Sequence, residues 1–352
     1  MPSPTPGEAS SPASSPAASP APVAARAGRR GRWRRLSTLV QVLAAVGGCL
    51  AVYGVVRVTG PTLRRAHPQL EWRTLAAASL VWFASYTQLV QLWSSSLPWW
   101  DTVVRTTPRR LTWFEGMRVF FVSNLARYVP GAVWQFAGLA AMSAQAGASP
   151  VAASMGVVFQ QLVLLSTGFV LLLSGAPHLL GAWAQTLDTL SQLVLAALLT
   201  AGLIVAGPRA LPVVRRWVER IIKRPVPLPT PPPRAFALYV VRAALGWIGY
   251  GVAFWIFGRA LFGRAAPHVW LAATAYLASY LLGLLAVIAP GGIVVREGAL
   301  VAQLSGSMGL ERAVVLAFAS RLWQVGLEVC AAVLVVTVDA VRRRVRASAA
   351  RR

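Results

Sequence analysis

Lysine, cysteine and acidic residues are all scarce in this sequence of 352 residues. The one lysine, Lys223, does not follow the glycines of a phosphate-binding loop, which excludes ATP binding through such a loop. The two cysteines, Cys49 and Cys330, lie in separate apolar segments without the spacing of a zinc or redox site. The three histidines are isolated from one another: His67, His178 and His268. We therefore expect no disulfide, no metal and no cofactor.

Sequence patterns of hydrolytic active sites are also missing. The chain has no HExxH and no GxSxG, and the acidic residues Asp188 and Glu311 of the predicted external connections stand far apart. We therefore expect no catalytic residue. An enzyme that transfers a group onto a lipid phosphate is a third hypothesis, without a histidine or carboxylate base to support it.

Apolar residues, in contrast, make up 56% of the chain, and charged residues only 12%. Several apolar runs reach the roughly 20 residues that a helix needs to cross a bilayer. The net charge is +24, almost all from arginines at the ends of these runs and in the loops. Such a distribution follows the positive-inside rule and does not form a basic soluble domain for nucleic acid. The sequence predicts an all-α polytopic protein of the plasma membrane.

The boundaries of the predicted segments follow from composition. Residues 1–35 form a disordered tail, rich in proline, alanine and serine, which ends in an arginine cluster. A second basic tail covers 342–352, and a basic, proline-rich loop at 207–234 is expected in the cytoplasm with both termini. About six full crossings are predicted: 36–56, 75–97, 150–173, 189–206, 236–257 and 313–338.

Two further apolar segments are interrupted by proline and glycine, at Pro130-Gly131 and at Pro290-Gly291-Gly292. Proline removes a backbone donor and breaks the helix, and irregular backbone is tolerated in hydrocarbon only when it is buried in protein or lines a cavity. Broken helices are typical of transporter sites. We expect re-entrant hairpins over 111–144 and 270–304. If their arms instead cross fully, the chain has eight or more spans.

The two breaks are 160 positions apart and belong to a weak internal repeat. Each is followed by a short apolar run, a turn of small residues and a long apolar helix, in which Gln161 and Arg321 each lie 31 positions after their proline. The first half covers about 75–206 and the second about 235–341, joined by 207–234. Three predicted crossings separate the hairpins, so the repeat is expected to be inverted.

The last predicted span carries Arg321, Gln324 and Glu328 on one helical stripe. A charge near the bilayer centre costs about 2.5–3.5 kcal/mol on insertion scales, so these residues are expected to face a cavity or a partner. The alternative is a structural ion pair of Arg321 with Glu328 or with Glu297.

A helix that begins after Gly291-Gly292 would present free amides to an anion, with Arg296 as a second contact and phosphate as the natural ligand in a membrane. Alternatively, Arg296 extends toward the interface and Glu297 only complements the helix dipole. Near the first break, polar residues such as Gln135 and Gln161 could line the same anion-binding cavity. Alternatively, they form only hydrogen bonds between packed helices. The predicted substrate-binding residues are Arg127, Gly131, Gln135, Gln161, Gly291, Gly292, Arg296, Glu297, Arg321, Gln324 and Glu328.

Segments 124–134 (NLARYVPGAVW) and 290–300 (PGGIVVREGAL) resemble the two signature regions of the lysylphosphatidylglycerol synthase transmembrane (flippase-like) domain family. The resemblance extends over most of 36–341. In the aminoacyl-phospholipid synthases this domain is associated with movement of a charged lipid between leaflets, and a separate cytosolic domain makes the lipid. The resemblance therefore implies a free-standing flippase-like protein without the synthase domain.

These observations favour a lipid flippase or scramblase-like transporter of a phosphate-bearing amphiphile, either a membrane phospholipid or an isoprenoid-phosphate lipid. The alternative is a non-catalytic accessory or scaffold membrane protein in glycolipid or cell-envelope synthesis, with the 207–234 loop as a docking element. A glycosyltransferase or an aminoacyl-transferase is the partner that we expect in either case. No nucleic-acid partner is expected.

Overall fold

The structure, a computed structural model, describes residues 65–104, 110–126, 133–175, 188–223, 228–229, 231–285 and 294–349. The described residues form nine α-helices and one short 3-10 turn, and no strand occurs among them. The helices are α1 (Trp72–Val104), α2 (Trp113–Leu125), α3 (Val133–Gln145), α4 (Pro150–Gly175), α5 (Thr189–Ile222), α6 (Pro233–Phe262), α7 (Val269–Leu285), α8 (Val295–Met308) and α9 (Leu310–Ala349).

Five of these helices, α1, α4, α5, α6 and α9, are long and apolar enough to cross a membrane. Their apolar spans contain 25 to 33 residues. At 1.5 Å per residue this is more than the roughly 30 Å of the hydrocarbon core. The all-α, multi-pass prediction is confirmed, and five of the six predicted crossings coincide with these helices. The sixth, 36–56, and the tail at 1–35 lie outside the described residues.

One predicted boundary was wrong. Residues 207–222, expected in the loop between the halves, continue α5 as helix through Pro208 and Pro212. Leu203 and Leu211, on either side of Pro208, both pack against the core. Asp188 caps the start of α5 by accepting a hydrogen bond of 2.9 Å from the Ser191 amide. Hydrogen bonds from the Ser191 side chain and then from this amide lower the pKa of the Asp188 carboxyl. In the same way α9 continues to Ala349, into the predicted basic tail at 342–352.

The four helices that flank the Pro-Gly breaks are short. Helices α2 and α3 have 13 residues each, α7 has 17 and α8 has 14. The breaks themselves, within 127–132 and 286–293, lie outside the described residues. Re-entry of the hairpins therefore stays a prediction.

The helix boundaries repeat along the chain. Helix α2 ends at Leu125 and α7 at Leu285, while α4 begins at Pro150 and α9 at Leu310, a separation of 160 positions in both cases. Helices α1 and α6 begin 161 positions apart. The order long, short, short, long therefore occurs twice, with α5 between the two sets.

Helices α1 and α6 pack side by side in opposite directions. Just before α1, the amides of Gln69 and Glu71 donate to the carbonyls of Leu261 and Ala260 at the end of α6, over 2.8 and 2.9 Å. The two helices approach closely at Gly249, where an added Cβ atom would lie only 2.2 Å from the Ser85 hydroxyl. Small residues at such crossings are characteristic of membrane helix pairs.

Candidate functional site

Arg296 lies in the first turn of α8 and is 6% exposed. Its Nη2 donates a 3.0 Å hydrogen bond to Oε1 of Gln324 on α9. The guanidinium also lies over the rings of Tyr276 and Tyr280 on α7, 4.9 and 5.4 Å from their centroids. In the part of the chain that the structure describes, no carboxylate pairs with Arg296. A buried cation is thus held by neutral groups.

Glu297, the next residue, is 3% exposed and interacts with two neighbours. Its Oε2 accepts a 2.8 Å hydrogen bond from the Val294 amide, and its Oε1 lies 3.9 Å from Nε of Arg321. The structure forms the ion pair between Arg321 and Glu297, one of the two pairs that the sequence left open. This pair joins the start of α8 to α9.

The backbone of Val294 has φ 75°, in the left-handed region. For a β-branched residue this conformation is strained by about 1–3 kcal/mol. The strain is located where the chain leaves the second Pro-Gly break and enters α8. It is held by the hydrogen bond from the Val294 amide to Glu297.

The predicted stripe on α9 faces inward. Gln324 is 5% and Glu328 4% exposed, while the side chain of Arg321 keeps 19% of its surface. Within the described ranges, Nε2 of Gln324 is buried without a hydrogen-bond partner. A buried, unsatisfied N–H donor beside a buried guanidinium is an arrangement that an anionic acceptor would complete.

The described polar residues near the first break that form hydrogen bonds between helices are neutral. Nε2 of Gln135 on α3 donates to Oδ1 of Asn124 on α2 over 2.8 Å, and Nδ2 of Asn124 donates to the Tyr86 hydroxyl of α1 over 2.5 Å. On α4, Gln161 is half-buried, and its Oε1 has no hydrogen-bond partner among the described residues. Gln160 instead joins α4 to α1 through the Leu89 carbonyl, at 2.7 Å.

A chain of aromatic rings joins the two polar regions. Trp82 lies 4.8 Å from Tyr86 and 6.1 Å from Tyr250, and Tyr250 lies 6.4 Å from Tyr276, centroid to centroid. Tyr276 in turn contacts Arg296. The structure thus connects Gln135 of the first half with Arg296, Glu297, Arg321 and Gln324 of the second through continuous packing.

Sequence reasoning missed the two tyrosines under Arg296. Tyr276 and Tyr280 are four residues apart on α7 and therefore share a helix face, a spacing that the sequence does contain. Four predicted residues, Arg127, Gly131, Gly291 and Gly292, lie outside the described residues. No cluster of three or more potential metal ligands occurs in the described part of the chain.

The fold is that of a polytopic helical membrane protein with a polar interior. It combines long apolar helices, short helices on either side of two Pro-Gly breaks, and charges buried among them. A comparison with protein families narrows this class: residues 32–332 match the model described as "Lysylphosphatidylglycerol synthase TM region". The chain belongs to this family, a membrane domain of the flippase-like type. No curated protein and no solved structure matches it.

Proposed function

We propose that the protein moves a phosphate-bearing amphiphile between the leaflets of the plasma membrane, as a flippase or scramblase-like transporter. The observation that carries this proposal is the buried Arg296, which contacts Gln324 and two tyrosines and no carboxylate of the described chain. An isolated buried charge is strongly unfavourable, and a lipid phosphate would supply the missing negative charge.

The start of α8 supports the same ligand. Glu297 accepts a hydrogen bond from the Val294 amide, and the side chain of Val294 cannot cap the amides that follow. Amides at a helix N-terminus attract anions, and Arg296 lies in this first turn. Arg296 and the unsatisfied Nε2 of its partner Gln324 add side-chain N–H donors.

In this proposal the two hairpins re-enter the membrane from opposite faces. Helices of 13 and 14 residues extend only about 20 Å, which is shorter than the hydrocarbon core. The antiparallel packing of α1 and α6, the first helices of the two repeated sets, supports an inverted repeat. Aromatic rings fill the space between the two polar regions, so passage of a headgroup requires a second arrangement of the halves.

The test is reconstitution of the purified protein into liposomes that contain fluorescent phospholipids or fluorescent isoprenoid phosphates. We expect protein-dependent movement between leaflets, and for Arg296→Gln a loss of at least about tenfold, because a charge-assisted hydrogen bond contributes about 1.5–3 kcal/mol. Arg312→Gln, which changes an exposed arginine at the start of α9, is the matched control and should behave as the unaltered protein. Absence of movement for every lipid would overturn the proposal.

A second candidate is the accessory or scaffold protein, favoured by one observation on α5. In the described chain, no residue of its apolar window is buried, and Arg215, Arg216 and Arg220 follow that window. A glycosyltransferase or aminoacyl-transferase of the membrane is the partner that we propose for this surface. If scaffolding is the whole function, Arg296→Gln will leave envelope synthesis in cells intact while substitutions on α5 impair it.

A further inference from the structure

A second polar site lies on the outer side of the α1–α6 pair. A cavity of about 380 Å³ is lined there by Ala84, Thr87, Gln88 and Gln91 of α1 and by Arg242 and Leu245 of α6. The α1 residues recur at helical spacing and form one stripe, on the opposite side of α1 from Trp82 and Tyr86. The cavity is therefore separate from the Arg296 site and opens toward the surroundings of the helices.

Arg242 lies well inside its span. It follows Arg234 by 8 positions and precedes Arg259 by 17, which corresponds to about 12 and 26 Å along α6. Even on insertion scales an arginine at such depth costs up to about 3 kcal/mol, so by default it marks a functional group with a partner. Its side chain is half-buried between the two helices.

Neutral groups of α1 hold the arginine in place. Nη2 of Arg242 donates a 3.0 Å hydrogen bond to Oε1 of Gln91, and Nε2 of Gln88 donates over 2.6 Å to the Arg242 carbonyl. The Thr87 hydroxyl donates to the Ala84 carbonyl and keeps its acceptor capacity. Within the described part of the chain, no carboxylate pairs with Arg242.

A guanidinium has five N–H donors, and Gln91 occupies one of them. The cavity lies beside the remaining donors and is open toward the outside of the helices, so it could receive one end of a larger molecule. Because the cavity opens between two membrane-crossing helices, a group that enters it comes from the lipid phase. Phosphate on a lipid combines the required charge, the oxygen acceptors and this route of access.

We infer that Arg242, with Gln88 and Gln91, binds the phosphate of an anionic lipid from the side, between α1 and α6. This inference goes beyond the proposed function, because a lipid can be held here whether or not the protein transports it. The shared chemistry is a phosphate group, and a free phosphate ion is the other possible source.

The test is photo-crosslinking of the full chain in phosphatidylcholine vesicles that contain a photoactivatable phosphatidylglycerol, with the labelled peptides mapped by mass spectrometry. We expect labels on the segments around Gln88 and Arg242. Arg242→Gln should reduce this labelling on the order of tenfold, the equivalent of one charge-assisted hydrogen bond. Arg259→Gln is the matched control on the same helix, since Arg259 contacts the Trp255 ring at the other end of α6, and it should leave labelling unchanged.

A second variant keeps Arg242 but neutralises its charge with a carboxylate inside the protein. Gln91→Glu places a carboxylate where Arg242 already donates, so it should displace the lipid without emptying the space between the helices. Equal labelling in both variants and the unaltered protein, or equal labelling by a photoactivatable phosphatidylcholine, would overturn the inference. Loss of labelling in excess inorganic phosphate would assign the site to the free ion and would also overturn it. Because labelling is measured independently of lipid movement, inactivity of Arg296→Gln in transport leaves this result unaffected.

Discussion

The helices around the first Pro-Gly break and those around the second follow the same order along the chain, but the polar side chains that they bury differ. At positions 160 apart, Arg321 corresponds to Gln161, Gln324 to Leu164, and Glu328 to Gly168. The buried polar chain of the first half is built of amides and a phenol, whereas that of the second half contains Arg296, Glu297 and Glu328. The described hydrogen-bond chain from Gln135 to Tyr86 in the first half is uncharged, although Asp101 of α1 is also buried.

Physical chemistry explains why this difference matters. Neutral side chains that join helices in a membrane contribute about 0.6 kcal/mol each on average, so the amides of the first half can be purely structural. Charges at the same depth carry a larger penalty and persist where they have a role. We therefore expect the charges of the second half to contact the ligand and the described amides of the first half to be mainly structural.

The most direct test of this comparison is to determine from which side of the membrane each half is accessible. Single cysteines replace Gln145 or Ser305 in a protein without its native cysteines. These two positions are 160 residues apart, near the ends of α3 and α8. If the repeat is inverted as we propose, Gln145→Cys should be labelled by an impermeant thiol reagent only from the cytoplasm and Ser305→Cys only from outside. Labelling of both from the same side would rule out the inverted repeat.

The largest energetic effect is expected at the ion pair of the second half. Glu297→Gln removes the carboxylate that lies 3.9 Å from Nε of the largely buried Arg321, and breaking a buried pair costs about 3–5 kcal/mol. Thermal unfolding in detergent should show a marked decrease of Tm. The double variant Glu297→Gln with Arg321→Gln should regain part of the loss, since no lone charge remains. If the double variant is no more stable than Glu297→Gln, the pair does not join α8 to α9 as described.

A smaller loss is expected from the corresponding break in the first half. Gln135→Leu removes the donor to Oδ1 of Asn124, and a buried acceptor left unsatisfied costs about 1–3 kcal/mol. In the transport assay this variant should remain active, in contrast to Arg296→Gln. The loss of stability is checked by the same thermal unfolding measurement. A transport defect as large as that of Arg296→Gln would show that both halves contact the lipid.

Much of this architecture is readable from the sequence. The five spans follow from apolar length alone, and the 160-residue repeat is visible because Pro-Gly breaks and small-residue turns are local signals. The ion pair of Arg321 with Glu297 could not be decided from the sequence, since it depends on how α8 packs against α9. The cavity at Arg242 was missed for the same reason, because α1 and α6 are more than 100 residues apart in sequence. The continuation of α5 past Pro208 depends on its packing against the core.

The smallest effect, and one of opposite sign, is expected at the entrance to α8. Val294 has φ 75°, and Val294→Gly should stabilise the protein by about 1 kcal/mol, because the relief of about 1–3 kcal/mol of strain exceeds the roughly 0.5–1 kcal/mol of extra backbone entropy. The corresponding residue of the first half, Trp134, is in ordinary α-helix, so Trp134→Gly should instead lower Tm. If Val294 holds the first turn of α8 in a shape suited to a phosphate, Val294→Gly will gain stability and lose transport rate. A variant that is both more stable and equally active would show that the strain has no part in binding.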